Sequence, residues 1–233
     1  MLAEQLRQDL LANDLANVNT PGYKADRTSQ SSFGDVMLEN TDTGSIIGSM
    51  SMGTQIGRVV TDTEQAALQQ TGEPMDVAIE GDAYFEVQTP TGVGYSRGGR
   101  LLVDPQGHLA TTAGYPLLDS AGNPITVGKE TGVDIGPDGS VSVDGKAVGK
   151  LALVGLTGVS KQGDSVLTGT PTTPTGTVAV RQGMLEASGV DAGRVMVDML
   201  ISMRSFEASQ RVLRAIDDTL GRAANSVGSV TGG

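Results

Sequence analysis

The chain has 233 residues, 33 of them glycine, with no cysteine, no tryptophan and one histidine; 16 basic side chains stand against 27 acidic ones, a formal net charge of −11. The lack of cysteine excludes disulfides, thiolate metal sites and thiol nucleophiles, and the surplus of negative charge disfavours nucleic acid and anionic membranes as partners. Aromatic residues are 3 % of the chain, too few for a stacking platform, and no stretch approaches the roughly 20 apolar residues of a membrane span.

Residues 1–9 carry Glu4 and Asp9 and lack an apolar core segment, so a cleavable signal peptide is not expected. Leu2, Leu6, Leu10, Leu11, Leu15 and Val18 recur in steps of about four and three, which predicts an N-terminal helix. It should stop between Asn17 and Thr20, because Pro21 disfavours helix at the residue before it and Gly22 suits a turn. Residues 28–57 are rich in Ser, Thr, Gly and Asp with no sustained period, and read as extended or poorly ordered chain.

Residues 75–156 read as β structure. Runs such as 75–79 and 84–87 alternate apolar with polar side chains, as half-buried strands do. Turn signals recur at 104–107, 121–124, 137–139 and 144–145, where Pro presets φ and Gly supplies φ > 0. Their spacing fits a small antiparallel sandwich or barrel. Strands do not alternate with long helices, so a doubly wound α/β fold is not expected. Residues 168–177, rich in Thr and Pro, read as an extended linker.

The strongest pattern is at the end. Ala192, Met196, Met199, Met203, Phe206, Gln210, Leu213, Asp217, Leu220, Ala224 and Val227 alternate by four and three, and nine of these eleven are apolar. A stripe sustained over about five heptads predicts a helix packed along another helix, about 50 Å long at 1.5 Å per residue. Gly221 is its weak point, costing about 1 kcal/mol relative to Ala. A helix lying across its own sheet is the plainer alternative. The N-terminal helix, marginal alone in water at its length, is the natural partner for the stripe, with the β region looped out between them.

Chemistry-bearing motifs are thin. Gly94-Tyr95-Ser96-Arg97-Gly98 matches the G-x-S-x-G of a hydrolase nucleophile elbow, but strand-like residues follow it where the elbow needs a helix. His108 has no second histidine or cysteine to share a metal with. Asp134, Asp138 and Asp144 lack the order of a calcium loop and read as turn residues. Met196, Met199 and Met203 at helical spacing read as packing residues rather than as an adaptable groove. No catalytic residue, metal site or cofactor is expected.

Ala16, Asn17, Val18, Asn19, Thr20, Pro21, Gly22, Tyr23 and Lys24, directly after an amphipathic helix, resemble the signature of the bacterial flagellar rod and hook proteins. The resemblance continues through residues 71–82, 95–97, 107–111, 114–118 and 182–188 and closes with the heptad helix, so it covers nearly the whole chain. It implies an α+β fold: an antiparallel β-rich domain between terminal helices that pair in a coiled-coil-like manner. The expected division is 1–27 for helix and signature, 28–70 for an extended connection, 71–165 for the β-rich domain, 166–185 for a linker, and 186–233 for the C-terminal helix. The implied function is that of a structural subunit of the flagellar basal-body rod, of the distal type. Such subunits leave the cell through the flagellar export apparatus and self-assemble into a helical tube around the export channel, transmitting torque. The implied partners are further copies of the chain, adjacent rod and hook proteins and the export apparatus, without nucleic acid or membrane insertion. Leu6, Leu10, Leu15, Val18, Met196, Met199, Met203, Phe206, Leu213 and Leu220 are the candidate packing residues. Members usually carry a short stretch ahead of the segment that starts here at Met1, so a piece upstream is expected to be missing, and Gly189 stands where Asn is common. A proximal rod or hook-type protein, or an acidic β-domain adhesin, are the alternatives.

Overall fold

In a computed structural model, described over residues 2–32, 35–39, 46–51, 54–128, 132–163 and 166–230, two helices flank many antiparallel strands, an α+β fold. The chain divides into two compact units, one of Met1–Leu15, Thr28–Val59 and Ala192–Gly233, the other of Ala16–Arg27 and Val60–Asp191.

The first unit holds α1 (Leu2–Ala16) and α2 (Ala192–Val230). Past the end of α1, the Thr20 N–H turns back to the Asn17 carbonyl at 3.1 Å just before Pro21. Asp191, a residue type favoured at helix N-caps, precedes α2, which then runs 39 residues without proline. That is about 58 Å at 1.5 Å per residue. Ser202 is fully buried and donates to Glu4 Oε2 at 2.9 Å, while Arg7 lies 4.0 Å from Asp198. Positions 4 and 7 thus meet 202 and 198 in reverse order, so the two helices run antiparallel here. Residues 28–57, expected to be extended, carry strands: β1 (Asp26–Ser32) pairs with β4 (Thr54–Thr61), and β2 (Asp35–Glu39) with β3 (Ile46–Ser51).

In the second unit β5 (Leu68–Gln70) precedes β6 (Val77–Asp82), β7 (Tyr84–Thr89) and β8 (Gly92–Ser96). A hairpin of β9 (Leu101–Val103) and β10 (Leu109–Thr111) follows, then a three-stranded meander of β11 (Val133–Ile135), β12 (Ser140–Val143) and β13 (Lys146–Lys150). The last strands are β14 (Leu153–Gly163), β15 (Val166–Thr172), β16 (Thr175–Gln182) and β17 (Met184–Glu186). Strands β14, β15, β8 and β7 close a small barrel, while β16 returns to β6 and β17 to β5. Alternation places the core: Val133 and Ile135 are buried with Asp134 exposed between them. Phe85 and Val87 join Ile79, Leu109, Leu117 and Val141 in the main cluster. Their neighbour Tyr84 points into a second cluster with Tyr95 and Leu167, so β7 is covered on both faces. Each such side chain contributes about 1.5–3 kcal/mol relative to exposure.

Residues 166–185, expected to be a linker, are instead the strands β15 and β16 and the start of β17. The threonines that favour extended chain favour strand equally, and Val166, Leu167, Val180 and Leu185 are apolar and buried. The turn signals act as chain reversals. Asp144 and Gly145, with φ of 48° and 77°, form the two-residue link of the β12–β13 hairpin, a turn that needs φ > 0 at both positions. At the 137–139 turn the Asp138 carboxylate accepts from the Ser140 hydroxyl at 2.7 Å and its N–H at 3.2 Å, which lowers its pKa to about 2. Because the folded pKa is depressed, this bond stabilises the turn above the ordinary carboxylate range and is lost as pH falls through 2. A Ser140→Ala variant should raise the Asp138 pKa toward 3.8, read by the side-chain carboxyl shift in an NMR pH titration.

Candidate functional site

Two places stand out, the segment after α1 in the second unit and the surface of α2 in the first. After α1, Asn17 Oδ1 accepts from the Thr20 hydroxyl at 3.1 Å, and the Tyr23 N–H returns to the Thr20 carbonyl. Pro21 therefore sits inside a tight reversal that lays Gly22 against the loop after β8. The Gly22 N–H donates to the Glu186 carbonyl at 2.9 Å, its φ is +68°, and a Cβ there would lie 2.3 Å from the Arg97 carbonyl oxygen. Only glycine fits both constraints. Gly22→Ala should lower the unfolding free energy by about 1–2 kcal/mol for the left-handed backbone alone, and by more for the clash, as a reduced urea midpoint. Tyr23 is buried under the Lys161 ammonium, 3.9 Å from the ring centroid, and Lys161 also pairs with Asp26 at 2.9 Å.

Beneath this reversal lies a buried ionic cluster that sequence reading did not single out. Lys24, Arg97 and Glu186 side chains are each 1 % exposed. Glu186 Oε1 accepts from Lys24 Nζ at 2.8 Å and from the Ala66 N–H at 2.8 Å, and Oε2 from Arg97 Nε at 2.6 Å. Lys24 Nζ also donates to the Glu64 carbonyl at 2.6 Å, and the two Arg97 terminal nitrogens to the carbonyls of Ala83 and Gly81. Burial pushes the Lys24 pKa below its ordinary value, partly offset by Glu186. Burial likewise raises the phenol of Tyr84, whose ring lies 5.2 Å from the Arg97 guanidinium carbon. Two cations around one carboxylate leave the cluster one positive charge in excess, and the backbone carbonyls of Glu64, Ala83 and Gly81 accept further bonds from them. The arrangement is a tie between chain segments with no reactive group presented to solvent.

On α2, the covered positions are Val195 and Ser202, with Met199 and Phe206 partly covered. Met196, Met203, Leu213 and Leu220, the other candidate packing residues of this helix, are 52, 48, 47 and 63 % exposed. Met196 and Met203 flank the antiparallel contact, whereas Leu213 and Leu220 continue its face farther along the helix. On α1 Leu6 is exposed, Leu10 and Leu15 are partly buried, and Val18 just beyond the helix is partly buried. Of the signature residues, Gly22 and Tyr23 are buried, Ala16 and Asn19 exposed, and Asn17, Thr20 and Pro21 intermediate.

The remaining chemical candidates have structural partners. Ser96 is buried on β8 and its hydroxyl accepts from the Gly98 N–H at 3.1 Å, with a strand at 101–103 following rather than a helix. His108 is held by Asp104, whose carboxylate meets its backbone N–H at 2.7 Å and its Nδ1 at 3.0 Å. No group of three metal-ligating side chains occurs among the described residues.

Comparison with known proteins gives three family matches: "Flagella basal body rod protein" over residues 1–24, "Flagellar hook protein FlgE/F/G D1 domain" over 78–143, and "Flagellar basal body rod FlgEFG protein C-terminal" over 181–226. The chain is 35 % identical to the flagellar basal-body rod protein FlgF of Caulobacter vibrioides, over 91 % of this chain and 86 % of that protein. It is 32 % identical to FlgF of Escherichia coli, covering 93 and 90 %, and 30 % identical to the rod protein FlgG of Bacillus subtilis, covering 95 and 93 %.

Proposed function

The chain belongs to the flagellar basal-body rod family, whose members are structural proteins and not enzymes, and from that premise we propose that it is a distal-rod subunit whose activity is assembly. Copies pack head to tail through the paired terminal helices in a coiled-coil-like layer around the export channel, and the tube transmits torque. A heterologous contact whose rotation does not close generates such a helical filament. One observation carries the reading: Met196, Leu200, Met203, Val212, Leu213 and Leu220 stay about half exposed or more along a 39-residue helix. A helix apolar beyond its own intrachain contact calls for a further neighbour, and in a homopolymer that neighbour is another copy. Adjacent rod and hook proteins bound the stack, and the export apparatus delivers the subunit. No helix among the described residues is long and apolar enough to cross a membrane. Electron microscopy of purified chain above a critical concentration tests the proposal. Rods of uniform diameter support it, and a species that stays monomeric at every concentration overturns it.

A further inference from the structure

The chain crosses between its two units after residues 15, 27, 59 and 191. Within the β-rich unit every segment leading from a crossing runs into one knot of bonds. The segment that follows α1 brings Lys24 to Glu186, and its Ala25 carbonyl then accepts from the Asp62 N–H at 2.8 Å. The segment after β4 supplies the Glu64 carbonyl to Lys24 and the Ala66 N–H to Glu186. The segment leading to α2 carries Glu186 itself, and its Gly189 N–H donates to the Tyr23 carbonyl at 2.8 Å.

We propose that Glu186 is the keystone of a cooperative clamp, so that residues 22–27, 61–67 and 186–189 open together or not at all. Opening units are ordinarily contiguous in sequence, whereas these three segments are not. Here lifting any one of them breaks the buried group: without 22–27 the carboxylate loses Lys24, without 61–67 Lys24 and Glu186 lose the Glu64 carbonyl and the Ala66 N–H, and without Glu186 two cations face each other with no counter-charge. Removing one member of a buried ionic group is far more costly than removing an exposed one, so partial opening is suppressed and the segments act as a single unit. The clamp is a property of the single chain and does not depend on assembly.

Amide exchange of the full-length protein, followed residue by residue by NMR, tests it. In the wild type the amides of Gly22, Asp62, Ala66 and Gly189 should share one protection factor, below those of Leu109 and Ile125 in the core. Lys24→Met, and separately Glu186→Gln, should lower all four by a common factor of at least tenfold. Loss confined to Gly22 in the Lys24 variant overturns the clamp, as do unequal wild-type protection factors. Wild-type protection at these four amides equal to that of Leu109 and Ile125 also overturns it, because the segments then open only with the whole unit. If either variant does not fold, the wild-type comparison decides alone.

Discussion

Glu186→Ala is expected to lower the unfolding free energy of the β-rich unit by about 3–5 kcal/mol, the range for breaking a buried ionic group by removing one partner. The size follows from what is left behind: Lys24 and Arg97, both 1 % exposed, would face each other without a counter-charge, and the Ala66 N–H would lose its acceptor. Against a typical stability of about 5–15 kcal/mol, that is a fifth or more of the total. In a urea titration followed by far-UV circular dichroism, an m-value near 2 kcal/mol/M turns it into a midpoint shift of about 2 M. Replacing all three side chains, as Lys24→Met, Arg97→Met and Glu186→Leu together, should recover most of the loss, since well-packed apolar residues commonly substitute for a buried ionic group without penalty. A single variant as stable as the wild type would mean that water reaches the cluster. A triple variant as damaged as the single one would mean that shape, and not charge, holds these segments.

Met203→Asp is expected to block polymerisation at concentrations where the wild type assembles, while leaving the subunit folded. Met203 is 48 % exposed in the single chain, so the substitution there costs only helix propensity, less than about 1 kcal/mol. Across the proposed seam between copies the same carboxylate would be buried and unpaired, at about 3 kcal/mol or more per contact, which raises the critical concentration by roughly two orders of magnitude. Sedimentation gives the critical concentration, and circular dichroism confirms the fold. Phe206→Asp should block assembly as well, with a larger loss of subunit stability because Phe206 is already partly covered. Rods that form normally from the Met203 variant would place the interface elsewhere.

What sequence reveals here divides by range of contact. Both helices are legible because the leucines of α1 and the heptads of α2 repeat within a turn or two, and the stop before Pro21 is a local steric rule. The hairpin turns at 104–107 and 144–145 are legible for the same reason. The fate of residues 166–185 is not: whether a Thr-rich extended stretch is a linker or a strand depends on a partner far away, here β6 for β16. Nor is the ionic cluster, since Lys24, Arg97 and Glu186 meet across separations of 162 and 89 residues. The resemblance marks Lys24 and the stretches holding Arg97 and Glu186, but nothing in residue type says that they touch. On α2 the a/d reading gathers Met196, Met199, Met203 and Phe206, whereas the intrachain contact is centred on Val195 and Ser202. A serine in a seam carries no hydrophobic signal, and its burial depends on Glu4 of the other helix.

The most direct test places a nitroxide label at position 213, on a chain whose lack of cysteine makes Leu213→Cys the sole attachment point. Leu213 is 47 % exposed in the isolated chain, so the label should be mobile by electron paramagnetic resonance in dilute solution. If neighbouring copies cover this helix face, the spectrum broadens to that of an immobilised label as rods form. A label that moves as freely in assembled rods as in the monomer would contradict assembly through α2.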